Sequence, residues 1–221
     1  MLALEKELKQ SLSLEDRLNI AAEVGSDLPL FLIGGTSLGI GRGEQVFPLE
    51  DLPTIQCVLA TPDRAVSTPE AFADWDDKFA ESGPAHDRKQ LSKLTQSTGS
   101  DTITPFSRAV FSWLMGTSTG VPARSGDRAE TLLLDLVRAG IENDFERVVF
   151  PKNPELRDVK RVLEREGARY ASLSGSGSAL YGLFASAEAA EKAAAKLNSS
   201  GTKALATTTL TRAEYWRTIF D

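Results

Sequence analysis

The apolar residues of the C-terminal third change period repeatedly, and this constrains the fold more than any other feature. Leu156, Val159, Val162 and Leu163 recur at helical spacing, opened by Asn153-Pro154 and stopped by Gly167. Tyr170-Ala-Ser-Leu-Ser and Ser178-Ala-Leu-Tyr-Gly-Leu-Phe184 then read as two strands joined through Ser174-Gly-Ser-Gly177. Ser186 starts an Ala-rich helix with Ala190, Ala193, Ala194 and Leu197 on one face, and Thr202 to Leu210 supplies a last strand. Helix, hairpin, helix and strand in this succession predict an α+β domain.

Upstream, Leu14, Leu18, Ala21 and Val24 share one helical face. Ser13 and Asp16 stand at near-capping-box spacing, and Gly25 suits a left-handed C-cap, so a helix is predicted over 14–24. Pro29 pushes Leu28 toward an extended backbone, and Leu30-Phe-Leu-Ile33 before Gly34-Gly35 reads as a buried segment ending in a turn. Gly39, Gly41 and Gly43 favour a tight bend or a strand closely approached by another backbone. Leu49-Glu-Asp-Leu-Pro53 reads as a connection between domains 1–52 and 53–221. Beyond it lie a central strand, Ile55 to Ala60, and a helix from Pro69 to Phe79. Glu81 to Gly126 is polar apart from an amphipathic island at Phe106 to Leu114, and Asp127 and Glu130 cap a Leu-rich helix ending near Gly140.

Charge narrows the function classes. The 31 acidic residues outweigh 25 Lys plus Arg, giving a net charge of -6, which argues against a basic nucleic-acid-binding face. The one cysteine, Cys57, lies in an apolar run and reads as a packed core thiol. The first residues lack the basic flank and apolar stretch of a signal peptide, and no apolar run approaches the ~18 residues needed to cross a bilayer. The expectation is a cytoplasmic soluble protein with no membrane partner. No His or Cys cluster has metal-ligand spacing, and His86 reads as a solvated surface residue.

Two local features can carry chemistry. In the loop Ser174, Gly175, Ser176, Gly177 the glycines let the backbone bend against a ligand and aim its amides at phosphate oxygens. A Gly-Ser hairpin with no ligand is the alternative. Asp27, between a helix stop and a proline, can orient or deprotonate a substrate hydroxyl, or serve as a turn aspartate accepting backbone N–H bonds. Arg42, between two glycines, reaches either a phosphate or a surface salt-bridge partner.

Taken together and in order, these residues resemble the GHMP family of small-molecule kinases, and within it the 4-diphosphocytidyl-2-C-methyl-D-erythritol kinases. The resemblance rests on Gly25-Ser-Asp-Leu-Pro-Leu-Phe-Leu-Ile-Gly-Gly-Thr-Ser-Leu-Gly-Ile-Gly-Arg-Gly-Glu44, on Asn143-Asp-Phe-Glu with Val148-Val-Phe150 and Pro154-Glu-Leu, and on Leu173-Ser-Gly-Ser-Gly177. It implies a truncated GHMP kinase fold: a remnant of the N-terminal domain over 1–52 and a ferredoxin-like C-terminal domain over 53–221. It further implies transfer of the γ-phosphate of ATP, with Mg2+, to the 2-hydroxyl of a cytidyl diphospho-sugar alcohol in non-mevalonate isoprenoid synthesis. Asp27 would then be the catalytic aspartate, Ser174 to Gly177 a phosphate-proximal loop, and Phe72 an aromatic against cytosine, with an ordinary buried helix position as its alternative. The family's lysine strand and glycine-rich ATP loop do not occur in these residues, so this chain alone is expected not to turn over ATP. The rival readings are another GHMP kinase, of homoserine or mevalonate type, and a non-catalytic binding module.

Overall fold

The computed structural model describes residues 1–40, 43–80 and 143–220. The polar segment with its amphipathic island, the helix capped by Asp127 and Glu130, Arg42 and His86 lie outside the described residues. The chain divides into two compact units, Met1–Thr54 with Leu210–Asp221, and Ile55–Thr209.

In the first unit, α1 (Leu2–Leu8) and α2 (Leu14–Val24) are joined by a turn in which Lys9 is left-handed. Arg17 of α2 grips the Glu5 carboxylate through Nε at 2.9 Å and Nη2 at 2.6 Å. Ser13 caps α2 by accepting the Asp16 amide, as its spacing predicts. Gly25, by contrast, ends α2 in extended backbone (φ -176°) instead of the expected left-handed one. Leu28-Pro-Leu-Phe-Leu-Ile33 is a helix, α3, and not an extended segment. Proline in the first turn explains the difference, since its missing N–H has no partner to lose there. Only Pro29 and Ile33 of α3 are buried, while Leu30 and Phe31 are exposed. A two-stranded antiparallel hairpin follows, β1 (Ser37–Ile40) with β2 (Gln45–Pro48).

The last helix, α8 (Arg212–Phe220), belongs to this unit, whereas the sequence pattern runs the second domain to residue 221 and ends it on a strand. The physical reason is a set of side-chain bonds onto backbone carbonyls of α3 and of the residues flanking the hairpin. Tyr215 Oη donates to the Phe31 carbonyl (2.8 Å), Trp216 Nε1 to that of Ile33 (3.1 Å), and the Arg212 guanidinium to those of Gly34, Thr36 and Leu49. Thr211 and Glu214 form a capping box at its start, a pairing the sequence does contain.

Asp51 ties the hairpin to this helix by accepting the amides of Thr36 (2.8 Å) and Arg212 (2.7 Å). Partial burial acts to raise its pKa, but these two amides and the Arg212 guanidinium outweigh it and hold the carboxyl below its usual range. A folded pKa below the unfolded one gives stability that is complete above the unfolded value, about 3.9, and lost as pH falls through the folded value. Asp51→Asn should therefore melt earlier than wild type at neutral pH, and the gap should close on acidification below about 3.9. Thermal melts across that range check it; a gap independent of pH would assign the loss to geometry and not to charge.

The second unit contains β3 (Gln56–Thr61), α4 (Thr68–Ala80), α5 (Glu146–Lys152), α6 (Pro154–Arg165), β4 (Tyr170–Leu173), β5 (Leu180–Phe184), α7 (Ala187–Ser199) and β6 (Lys203–Thr208). Its sheet has the order β4-β5-β3-β6 with every neighbour antiparallel, the ferredoxin-like arrangement with β3 central. The period-2 alternation sends Val58, Ala60, Ala171, Leu173, Leu180 and Phe184 to one face. There they meet Leu156, Val159 and Leu163 of α6 and Ala190, Ala193, Ala194 and Leu197 of α7, the stripes their spacing predicts. Ser186 caps α7 by accepting the Ala189 amide. Cys57 does not join this core. Its odd place in β3 puts it on the opposite face, half-buried beside Leu183 and Thr207, where burial pushes the thiol pKa up. Among the described residues no helix is long and apolar enough to cross a membrane.

Candidate functional site

The β4–β5 connection is shaped by its glycines. Gly175 and Gly177 have φ of 57° and 95°, in the region that L side chains rarely enter. Among the described residues nothing stands within 4 Å of where a Gly175 side chain would begin, so they leave the backbone open to close approach there. The Gly177 amide donates to the Ser174 carbonyl (3.0 Å) and the Ser174 amide to that of Ala179 (2.8 Å), closing the turn.

Asn143, 32 residues before Gly175, holds this turn from outside. Its Nδ2 donates to the carbonyls of Leu173 (2.8 Å) and Gly175 (2.7 Å), and its Oδ1 accepts the Phe145 amide (3.0 Å). Glu146 Oε1 accepts the Ser172 hydroxyl (3.0 Å) and the Leu173 amide (2.9 Å), while Oε2 pairs with Lys160 at 2.6 Å. Ser172 is 1% exposed, so this carboxylate satisfies a polar group sealed from water. Burial and the neighbouring Tyr170, Cys57 and Glu146 push the Tyr181 hydroxyl upward, keeping it neutral on the same face of the sheet.

Helix α4 meets the loop from the other side. Thr68 Oγ1 and Ser176 Oγ share a hydrogen bond of 2.8 Å. One turn along, Ala71 is buried and Phe72 is 53% exposed, its ring edge-on to Phe145 with centroids 4.9 Å apart and planes at 84°. Phe72 is thus not on the buried face of α4, which removes the core reading and leaves an aromatic surface. The described part of the second unit therefore gathers Ser174, Gly175, Ser176, Gly177 and Phe72 around Asn143 and Phe145. The last two carry no assigned role in the sequence pattern, although Asn143-Asp-Phe-Glu146 stands out there as a motif. Nothing in spacing alone reveals a partner 30 residues away.

Asp27 lies in the first unit, at the N-cap of α3. It is exposed, and its side chain makes no capping bond to an α3 amide, so it does not play the helix-capping form of the turn role. Gly43 lies beside it: a Cβ there would stand 3.8 Å from Asp27 Oδ1. Among the described residues no group of His, Cys, Asp and Glu is arranged to hold a metal ion.

Comparison with known proteins bears on this geometry. Residues 128–203 match the family model described as GHMP kinases C terminal. The chain carries a GHMP kinase C-terminal domain. A curated 4-diphosphocytidyl-2-C-methyl-D-erythritol kinase of Solibacter usitatus is 37% identical over 166 residues, covering 75% of this chain and 42% of that protein. A crystal structure of 4-(cytidine 5'-diphospho)-2C-methyl-D-erythritol kinase aligns with a TM-score of 0.58 at 26% identity, over 94% of this chain and 60% of that one. A homoserine kinase of Cytophaga hutchinsonii, at 18% identity and a TM-score of 0.54 over 94% of this chain and 61% of its own, shares the GHMP kinase fold. The chain spans about half the length of the curated relatives it matches, from 42% to 55% of each.

Proposed function

We propose that the protein to which this chain belongs transfers the γ-phosphate of ATP to the 2-hydroxyl of 4-diphosphocytidyl-2-C-methyl-D-erythritol, in the cytoplasm, in isoprenoid synthesis that does not use mevalonate. The observation that carries this reading is the exposed Phe72 ring, braced by Phe145 and linked through α4 to a glycine-rich loop that the described residues leave open at Gly175. An aromatic surface beside a loop suited to phosphate fits a ligand with a base at one end and phosphate at the other. The names of the relatives support the same substrate.

In this reading residues 1–52 are what remains of the N-terminal domain and the second unit is the C-terminal domain. The substrate oxygen bonds to the γ-phosphorus, the bond from that phosphorus to the β–γ bridging oxygen breaks, and ADP leaves. Asp27 orients the hydroxyl and accepts its proton late, since positioning and charge neutralisation dominate phosphoryl transfer. Gly175 and Gly177 let the loop backbone lie against phosphate oxygens, with Ser174 and Ser176 lining it. ATP comes as its Mg2+ complex, whose charge offsets that of the transferred group.

A substrate panel on the full-length protein tests the proposal: phosphorylation of the cytidyl substrate is expected, and transfer to homoserine or mevalonate in its place would overturn it. Within that assay, Phe72→Ala should raise the KM for the cytidyl substrate by the equivalent of about 1–3 kcal/mol, the usual worth of a base stacked on an aromatic ring. The KM for ATP should not move. Phe72→Leu should give most of the same loss, because it keeps apolar volume but not the ring face. A normal cytidyl KM in both variants would remove Phe72 from the site.

A further inference from the structure

We infer that Asn143 is a positioning residue for the phosphate-proximal loop, and that through Phe145 the same segment sets Phe72, holding the base and phosphate ends of the site at one spacing. The inference rests on the proposed function for what binds, and on bonds within the second unit for how the parts are held.

A loop that presents its backbone to phosphate must turn its carbonyl oxygens elsewhere, because their partial negative charge repels the ligand. Three successive carbonyls here are engaged within the protein. That of Ser174 accepts the Gly177 amide inside the turn, and those of Leu173 and Gly175 accept the two protons of Asn143 Nδ2. Asparagine suits this place because one nitrogen carries two donors while the neighbouring oxygen still accepts, here from the Phe145 amide at 3.0 Å. Aspartate has the same shape but would face two carbonyl oxygens with a charge of their own sign.

The Phe145 amide so held belongs to the residue whose ring meets Phe72 edge-on. From Phe72 the α4 backbone runs back one turn to Thr68, whose hydroxyl bonds Ser176. Loop, Asn143, Phe145, Phe72, Thr68 and loop again thus form a closed circuit of contacts. Glu146 secures the strand end beneath it through the Ser172 hydroxyl and the Leu173 amide. A closed circuit of short contacts restricts the separation of its two functional faces, which is what a site selecting a ligand of set length requires.

Asn143→Asp and Phe145→Leu in the full-length protein test this, by amide hydrogen exchange over residues 173–179 and by KM and kcat for ATP and the cytidyl substrate. Asn143→Asp should speed exchange in the loop about tenfold or more and raise the KM for ATP or lower kcat by a similar factor. Phe145→Leu should raise the cytidyl KM about fivefold and leave that for ATP as it was. Unaltered loop exchange in Asn143→Asp overturns the positioning role, as does faster exchange with wild-type kinetics. Parallel changes in both KM values for both variants, with no split between ligands, overturn the set spacing. A wild-type protein inactive on the cytidyl substrate refutes the proposed function separately; loop exchange and the KM for ATP with the substrate that it does phosphorylate then decide the role of Asn143.

Discussion

Asp27→Asn in the full-length protein is expected to lower kcat by about 10²-fold or more, with an unchanged melting temperature and unchanged ATP affinity. The expectation comes from where the side chain stands. Asp27 is exposed at the N-cap of α3, and its carboxylate caps none of the helix's own amides. Asparagine keeps the shape and can still orient a hydroxyl, but it cannot take the proton. The variant therefore isolates the base from the turn. Steady-state kinetics with a thermal melt on the same sample decide the matter: turnover equal to wild type makes Asp27 a turn residue, and a lowered melting temperature with proportionate loss of activity makes it a structural one.

Leu163→Ala should destabilise the second unit by about 2–5 kcal/mol, toward the upper end, and lower its melting temperature by on the order of 10 °C. Leu163 is 0% exposed and lies over Gly182 of β5, where an added Cβ would come within 3.3 Å of Leu163 Cδ2 and 3.1 Å of Phe184 Cε2. The strand beneath therefore has no side chain that can swing into the space, and the cavity stays open. Gly182→Ala overpacks the same spot and should destabilise the wild type. In the Leu163→Ala background one of its two close contacts is gone, so it should cost less there. The two changes should be less than additive in denaturant unfolding, and strict additivity would show that they do not share one space.

Legibility in the sequence tracks the range of the interactions involved. The helices over 14–24, 154–165 and 187–199 are readable because their apolar stripes and their serine or proline starts lie within a few residues of one another. The β4–β5 hairpin is readable from its flanking apolar runs and glycine turn. Pro29 misleads, because a residue that ends helices in their interiors also begins them in their first turn, and the choice depends on the residues beyond it. Cys57 misleads for a different reason: an apolar run does not say which of its alternating residues faces the helices. The last helix escapes the periodicity although Thr211 and Glu214 signal it locally, and its place in the first unit rests on bonds from Arg212, Tyr215 and Trp216 across more than 160 residues.

The candidate site divides along the same line. The residue types of the loop 174–177 and the presence of a carboxylate at Asp27 and an aromatic at Phe72 were determined by the sequence alone, since each depends only on chemistry and immediate neighbours. That Phe72 projects outward onto Phe145, that Asn143 spends both of its donors on the loop, and that Thr68 meets Ser176 were decided only by the tertiary structure. Each joins residues between 30 and 108 positions apart, and no local propensity specifies such a pairing. It exists because burying the stripes of α6 and α7 against one face of the sheet brings the ends of α4, α5 and β4 together.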